Sequence, residues 1–589
     1  MVEARPALID NLAMKFLTIA LFGLFGATYA LNAEVKETAL KAEHKYLYLP
    51  ISAGQTSKNF ELSDPAAGKI LLDYKGQIHT TNQAPDWVVP IDISSSKGRE
   101  LKFRMDTPDG KMPILLQGDY PHMENSHTPM WKATRPAFHF SPEYGAMGNP
   151  LGLVLHGGKW HLFYQADPYG IEFGKSAFVG HAVSDDLLNW KELSPLLIPE
   201  KNKSGGFSSV QSGSFYFDSD NSSGKFQKSG FIFAASDETN TISFYASPDL
   251  SKLEKFSTLK FTGKNPRLFR DTNSKLWILL TGDGSKIELR VSKDFIEWEK
   301  TQEFSDFGEC ASLVKMPVTG ANAPSQWVLL FGNGKYYVGE FTDSKFLPQF
   351  PKREPRMAFM GPVDDAITAT STNPRTMFIA SMRVKNLNEI KESHQPFVNS
   401  MTLPWQMDLV KLCDGEFQLR LSLPDEIGSR LEQPRDALGT DDIYISSNLI
   451  TLPDAYGNRF VICAKIKNQG ANVLNIEVGA NQVAKYLNEP RIDLKFQRKS
   501  IGKYPVQFTH YDENIDFWFF LDSFGAELLF DAGDLLLFIP ADLRGPQYEI
   551  RIGSVGSIWS NYIGKSTIRR LPNSEIIKRA NARLKKLIK

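Results

Sequence analysis

Residues 135–165 read RPAFHFSPEYGAMGNPLGLVLHGGKWHLFYQ. An aromatic run leads into a Gly/Pro-rich turn containing Asn149, and the turn feeds an alternating strand that ends at Gln165. A polar turn presented by a rigid strand is a common way to build a small-molecule site. Further along stand other groups able to move protons or hold hydroxyls: Ser212 in a Ser-Gly-Ser run, the pair Arg270-Asp271, and Glu309 beside Cys310. Taken singly each has a bland reading. Arg-Asp is a surface turn pair, Glu309 a solvated loop residue and Gln165 a strand-end amide. No spacing of His, Cys and carboxylates fits a metal motif, so the sequence points to no metal and no cofactor. The three cysteines, Cys310, Cys413 and Cys463, leave room for one disulfide at most, with buried free thiols the expected state.

The elements that must position these residues read as β throughout. Between residues 45 and 125, runs such as YLYLPI, KILLDY, WVVPIDI and ELKFRMD are separated by turn residues, which predicts a small β-rich domain. A linker is expected at 121–134. A repeat follows. Ser184-Asp185-Asp186-Leu187 returns as Ser247-Pro248-Asp249-Leu250 and again as Ser292-Lys293-Asp294-Phe295, each time after alternating strands. Two further units follow, at 309–346 and from Asp364 to about Leu409. Self-similarity at this spacing, with several short strands per unit, predicts a five-bladed β-propeller over 131–425. Such a ring gathers the first strand of every blade around one axis, so a site can draw on residues far apart in sequence. Strand-like runs from 430 to 565 predict a C-terminal β-sandwich. The whole is all-β.

Composition sets the outer bounds. The chain has 589 residues, more than one compact domain. Lys+Arg and Asp+Glu are 67 each, so no net field favours nucleic acid as a partner. Phe, Tyr and Trp make up 12%, which suits either sugar platforms or β cores. Residues 14–33 (MKFLTIALFGLFGATYALNA) have the make-up of a secretory signal peptide, with Met14 the expected true start, predicting a secreted or periplasmic protein. The tail 573–589 places apolar residues at helical spacing opposite basic ones; a helix docked on its own protein is expected rather than membrane attachment.

The stretch 135–165 also resembles the opening of glycoside hydrolase family 32, the invertases, levanases and inulinases. That family reads roughly RPxFHF, then a turn containing N-D-P-N-G, then YHLFYQ. Here the turn is Gly148-Asn149-Pro150-Leu151-Gly152. Other matches keep the family's order: Gly180-His181-Ala182 for W-G-H-A, Ser212-Gly213-Ser214 for F-S-G-S, Arg270-Asp271 for R-D-P and Glu309-Cys310 for E-C. Leu521-Asp522 through Glu527-Leu528 loosely matches a sandwich motif of the family. The resemblance implies a β-fructoside such as levan, inulin or sucrose as the carbohydrate partner. It further implies Glu309 as acid/base, Asp271 as the carboxylate that holds sugar hydroxyls, Arg270, Gln165 and Ser212 as substrate-binding residues, and position 149 as the nucleophile.

At that last position the carboxylate is missing. Retaining glycosidases need two carboxyl groups about 5–5.5 Å apart, and an amide cannot form the glycosyl ester that the nucleophile forms. The lost charge alone, at about 4 Å from an oxocarbenium-like centre, is worth roughly 4 kcal/mol at an effective dielectric of about 20, or about three powers of ten in rate. Pro150 has no backbone N–H, so Asn149 has no easy succinimide route back to a carboxylate. The expectation is a protein of β-fructosidase type with hydrolysis lost or strongly reduced. The alternative is an active glycosidase of altered substrate, or one in which Asp364 or Asp365 replaces the nucleophile.

Overall fold

The computed structural model describes residues 34–120, 135–431 with short interruptions, and the strands between 437 and 570. The leader-like segment 1–33, the linker 121–134, Glu309, Cys413 and the tail 573–589 lie outside the described residues. The chain divides into two units, Met1–Ser126 and His127–Lys589.

The first unit holds a four-stranded and a three-stranded antiparallel sheet. Strands Tyr46–Ile51, Lys69–Gly76, Trp87–Asp92 and Glu100–Asp106 arise from the alternating runs of the sequence. A further strand, Val35–Lys41, begins ahead of position 45. It is an edge strand, largely exposed, so VKETALK carries no apolar alternation to betray it.

The second unit contains five consecutive sheets, each built on a four-strand meander. Their first strands are Gly145–His156, Ser212–Asp218, Lys264–Asp271, Ala311–Met316 and Asp364–Ala369. Each first strand lies against the next, and the fifth lies against the first. The sheets are therefore blades of a closed five-membered ring, with the first strands innermost. A short strand from beyond the fifth blade's second strand, Phe397–Val398, pairs in parallel with Gly145–His156 and ties the end of the ring to its beginning. Two seven-stranded sheets follow, giving the expected β-sandwich.

The repeated turn has one physical design. Asp186, Asp249 and Asp294 each accept hydrogen bonds from the backbone N–H two residues on, and Asp186 and Asp294 also from the third. The next residue in each copy, Leu187, Leu250 or Phe295, sits at a φ of 62°, 61° or 67°. Side chains of that size are rare in the left-handed region. The strain is offset by packing, since Leu187 and Phe295 are fully buried.

The aromatic richness goes into joints between blades. Phe163, Phe215 and Phe233 stack in series at 3.8 and 4.3 Å between blades one and two. Phe244, Trp277 and Phe295 fill the joint between blades two and three. A third cluster joins blades three, four, five and one to Phe520, Leu529 and Phe538 of the sandwich. Glu527 pins that last junction. Its buried carboxylate meets His139 Nε2 at 3.0 Å and accepts from Leu403 N at 2.6 Å and from Trp405 Nε1.

Candidate functional site

The site is built where the innermost strands begin. Gly145 opens the first at a φ of 80°, and a Cβ there would meet the carbonyl of Asp167 at 2.2 Å. Only glycine fits. The strand's register against Lys159–Asp167 then shifts on both sides of Pro150. Proline cannot donate to a ladder, and a bulge is where an inner strand tolerates it. Asn149 sits in this bulge, buried, and its N–H donates to Gln165 Oε1 at 2.9 Å instead of to a backbone carbonyl. Its own Oδ1 accepts the hydroxyl of Ser381, from the second strand of blade five, at 3.3 Å. The carbonyl of Met147 accepts Asn399 Nδ2 at 2.6 Å. The backbone that carries Asn149 is thus gripped from two blades.

Gln165 links blades one and two. Besides accepting from Asn149, its amide donates to the carbonyls of Val210 (2.9 Å) and Gln211 (2.6 Å). Ser212 continues the link. Its Oγ shares a 2.6 Å hydrogen bond with Ser236 Oγ and accepts Asn265 N from blade three at 2.9 Å. Ser214 Oγ likewise accepts Leu268 N at 2.9 Å. An innermost strand has no sheet partner on its axial edge, so its N–H groups need other acceptors. The Ser-Gly-Ser run supplies two of them. Gln165 and Ser212, expected to hold sugar hydroxyls directly, have their hydrogen-bonding capacity taken up by protein and act as positioning groups.

The structure does not bring Asp271 to this place. Asp271 ends the innermost strand of blade three, whereas Asn265 stands near its start. Six residues of extended chain separate them by ~20 Å. There Asp271 caps the turn to the next strand, accepting from Ser274 N at 2.9 Å and Ser274 Oγ at 2.6 Å. Arg270 is beside it, donating to the carbonyl of Lys275 with its guanidinium 5.0 Å from the Trp277 ring centre. The roles of hydroxyl holder and substrate contact expected of Asp271 and Arg270 are corrected on this ground.

The residue missed is Asn265. Lys264-Asn265-Pro266 begins the blade-three strand, and the register shifts there just as it does at Pro150. The triplet stands at the head of blade three as Gly148-Asn149-Pro150 stands at the head of blade one. The available signal was weak: the dipeptide Asn-Pro occurs at 149–150, 265–266 and 373–374, and the first two stand in the innermost strands of blades one and three. In both places an asparagine precedes the proline at the register shift. Pro266 blocks deamidation of Asn265 as Pro150 does for Asn149.

Of the remaining expected residues, Glu309 lies outside the described residues. Cys310, buried and unbridged, immediately precedes the innermost strand of blade four. Asp364 begins that of blade five, with its backbone in register with Ser381. Ser381, Asn149, Gln165, Ser212 and Asn265 therefore form a hydrogen-bonded arc over blades five, one, two and three. These five residues are amides and hydroxyls, and none is a carboxylate of the kind that a retaining glycosidase uses as its nucleophile. Among the described residues no group of three or more His, Cys, Asp or Glu could hold a metal ion. Nor is any described helix long and apolar enough to cross a membrane.

Residues 139–419 match the family model described as the glycosyl hydrolases family 32 N-terminal domain. The levanase of Bacillus subtilis is 30% identical over 250 residues, covering 37% of this chain and 36% of that protein. Invertase 2 of Saccharomyces cerevisiae is 29% identical over 247 residues, covering 36% and 46%. The chain thus spans about a third to a half of the length of the curated relatives it matches. The exo-inulinase of Aspergillus awamori shares the fold at a TM-score of 0.60, with 20% identity over 76% of this chain and 99% of its own. Over residues 139–419 the chain thus matches the glycosyl hydrolases family 32 N-terminal domain, and it shares the fold of the exo-inulinase.

Proposed function

We propose that this is an exported carbohydrate-binding protein descended from β-fructosidases, with fructoside hydrolysis lost or strongly reduced. One observation carries the reading: Asn149 occupies the bulge at the head of the first blade, where the resemblance expects the attacking carboxylate. Asn265 at the head of blade three supports it, because a second carboxylate position of the family is also an amide. The two changes act on different parts of the reaction. Without an anion at 149 no glycosyl ester forms, and the developing positive charge loses roughly 4 kcal/mol of stabilisation at an effective dielectric of about 20. Without an anion at 265 the sugar hydroxyls lose their strongest acceptor. Glu309 then has no anionic neighbour at position 149 to hold it protonated. Export is supported by the leader-like composition of residues 14–33.

The test is release of reducing sugar from sucrose, inulin and levan, run beside Glu309→Gln, with calorimetric titration of the same sugars. The expected result is heat of binding with no turnover above the Glu309→Gln control. Turnover that Glu309→Gln abolishes overturns the reading.

A second reading, an active glycosidase with a substitute nucleophile, is favoured by one observation. Asp364 is the register partner of Ser381, whose hydroxyl bonds Asn149. Cα atoms paired in this way lie about 4.5–5.5 Å apart. Loss of any turnover in Asp364→Asn, with Asp365→Asn active, is the result that would select it.

A further inference from the structure

The run Gly180-His181-Ala182 has no part in the arc, yet its histidine is buried in the third strand of blade one, Phe178–Ser184, in register with Phe163. His181 Nε2 lies 2.9 Å from Nδ1 of His161, and the two rings stack at 5.1 Å between centres. The stack continues from His181 to Phe163 (5.0 Å), then across to Phe215 of blade two (3.8 Å) and on to Phe233 (4.3 Å). A third imidazole, His156, lies 6.1 Å from His161 and 4.5 Å from Phe217 of blade two. Three imidazoles thus line the joint between blades one and two.

The His161–His181 contact tolerates only one charge. One facing nitrogen donates and the other must accept, so with both rings protonated N–H meets N–H. The other charged or titratable groups around the pair are chiefly cations. Lys159 acts on His161 and is held by the exposed Asp185 at 2.9 Å. Lys191 lies across the sheet from His161 through Val183. Blade two brings Tyr245, with Lys255 Nζ 5.5 Å from its ring centre, and Asp249, which is bonded to Ser251. The joint also reaches the site. Strand Lys159–Asp167 carries His161, Phe163 and Gln165 on one face, and Gln165 holds Asn149 N together with the carbonyls of Val210 and Gln211.

We infer that the joint between blades one and two is an acid-operated latch on the strand-start arc: charging both facing imidazoles parts the two blades and frees Gln165 from Asn149. Its effect on a ligand rests on the reading of the arc as a sugar site. Burial, and then His161 beside it, lowers His181 to about 4; burial and His156 lower His161 as well, the ordinary value being 6.5. The parted joint therefore takes up protons first. The closed joint is complete above 6.5 and is lost as pH falls toward 4.

The experiment is hydrogen–deuterium exchange of the full chain between pH 7 and 4, corrected for intrinsic exchange rates and resolved to single amides, with calorimetric titration of nystose over the same range. Nystose has no titratable group. Two amides report: Asn149 N, bonded to Gln165, and Leu268 N, bonded to Ser214 between blades two and three, which contain no histidine. Protection of Asn149 is expected to fall at least tenfold and nystose affinity with it, while Leu268 stays protected. His181→Gln, which keeps a polar partner for His161 but does not titrate, should hold both flat; if it does not fold, His161→Gln takes its place. Unchanged Asn149 protection, an equal fall at Leu268, or the same acid response in the glutamine variant overturns the latch. Opening at Asn149 with nystose affinity unchanged overturns its action on the site. Nystose binding at no pH sinks the sugar-site reading, and the exchange result alone then decides the latch.

Discussion

Asn265 and Asp271 lie on one strand, one near its start and the other at its end, and they do opposite work. At the start the strand's free edge faces the axis, its register slips at a proline, and its N–H groups are met by serines of the neighbouring blade. At the end a buried carboxylate is spent on the N–H and hydroxyl of a tight turn. The same residue type would mean catalysis in one place and turn closure in the other. The lesson is that in a propeller the identity of a motif is decided by which end of the innermost strand it occupies. A dipeptide match a few residues along belongs to the opposite mouth of the ring.

The largest expected effect sharpens this contrast. Asn149→Asp should raise sucrose or levan cleavage by about three powers of ten over the unmodified chain, the value of one restored charge, with Ser381 then donating to the new carboxylate. Asp271→Asn should leave that gain untouched; if it abolishes the gain, the two mouths are not independent. Stability should respond the other way round. Ser212→Ala leaves Asn265 N without its acceptor at the axis and should cost about 1–3 kcal/mol in denaturant unfolding. Asp271→Ala removes a turn cap and should cost about 0.5–2 kcal/mol, by analogy with helix caps, while ligand titrations stay unchanged.

Smaller effects test whether blade one is as indifferent to pH as its role of scaffold suggests. Burial lowers His181 to about 4, with His161 against it at 2.9 Å. Its ordinary value is 6.5, so the unfolded chain takes the proton first, and stability is lost as pH falls from 6.5 toward 4. Glu192 is the reverse case. Burial, with Glu143 beside it, raises it to about 7, so its contribution is complete below 4.5 and is lost as pH rises to 7. Melting temperatures of His181→Gln and Glu192→Gln across pH 4–7 should each flatten one of these slopes. Parallel curves for all three proteins would break the assignment.

The ring was legible because its signals are local. The Ser-x-Asp turn recurs because three blades need the same left-handed residue after the same capping carboxylate, and alternating strands precede every copy. Asn149 and Gln165 could be located because one continuous stretch contains both. Asn265 was hidden by a near-identical competitor. Arg270-Asp271 presents the motif's letters, while Lys264-Asn265-Pro266 shows itself only through the register shift at its proline. The positioning roles of Gln165 and Ser212 depend on contacts between blades, to Val210 and to Asn265, which no spacing within one blade encodes. Ser381 had no signal at all; its meaning comes from touching Asn149 across 232 residues.

The parallel pairing of Phe397–Val398 with Gly145–His156 has a consequence for how the protein comes into being. Asn399 grips the carbonyl of Met147 across 252 residues, and Gly145 N donates to Pro396 O. At about 5–20 residues per second on the ribosome, the head of the first blade waits roughly 13–50 s for the segment that seats it. Until then its unpaired edge is open to wrong partners. Early blades can form as they emerge, but the pocket is completed only after blade five and the segment 396–399 have emerged, and a nascent chain halted before blade five should lack it entirely.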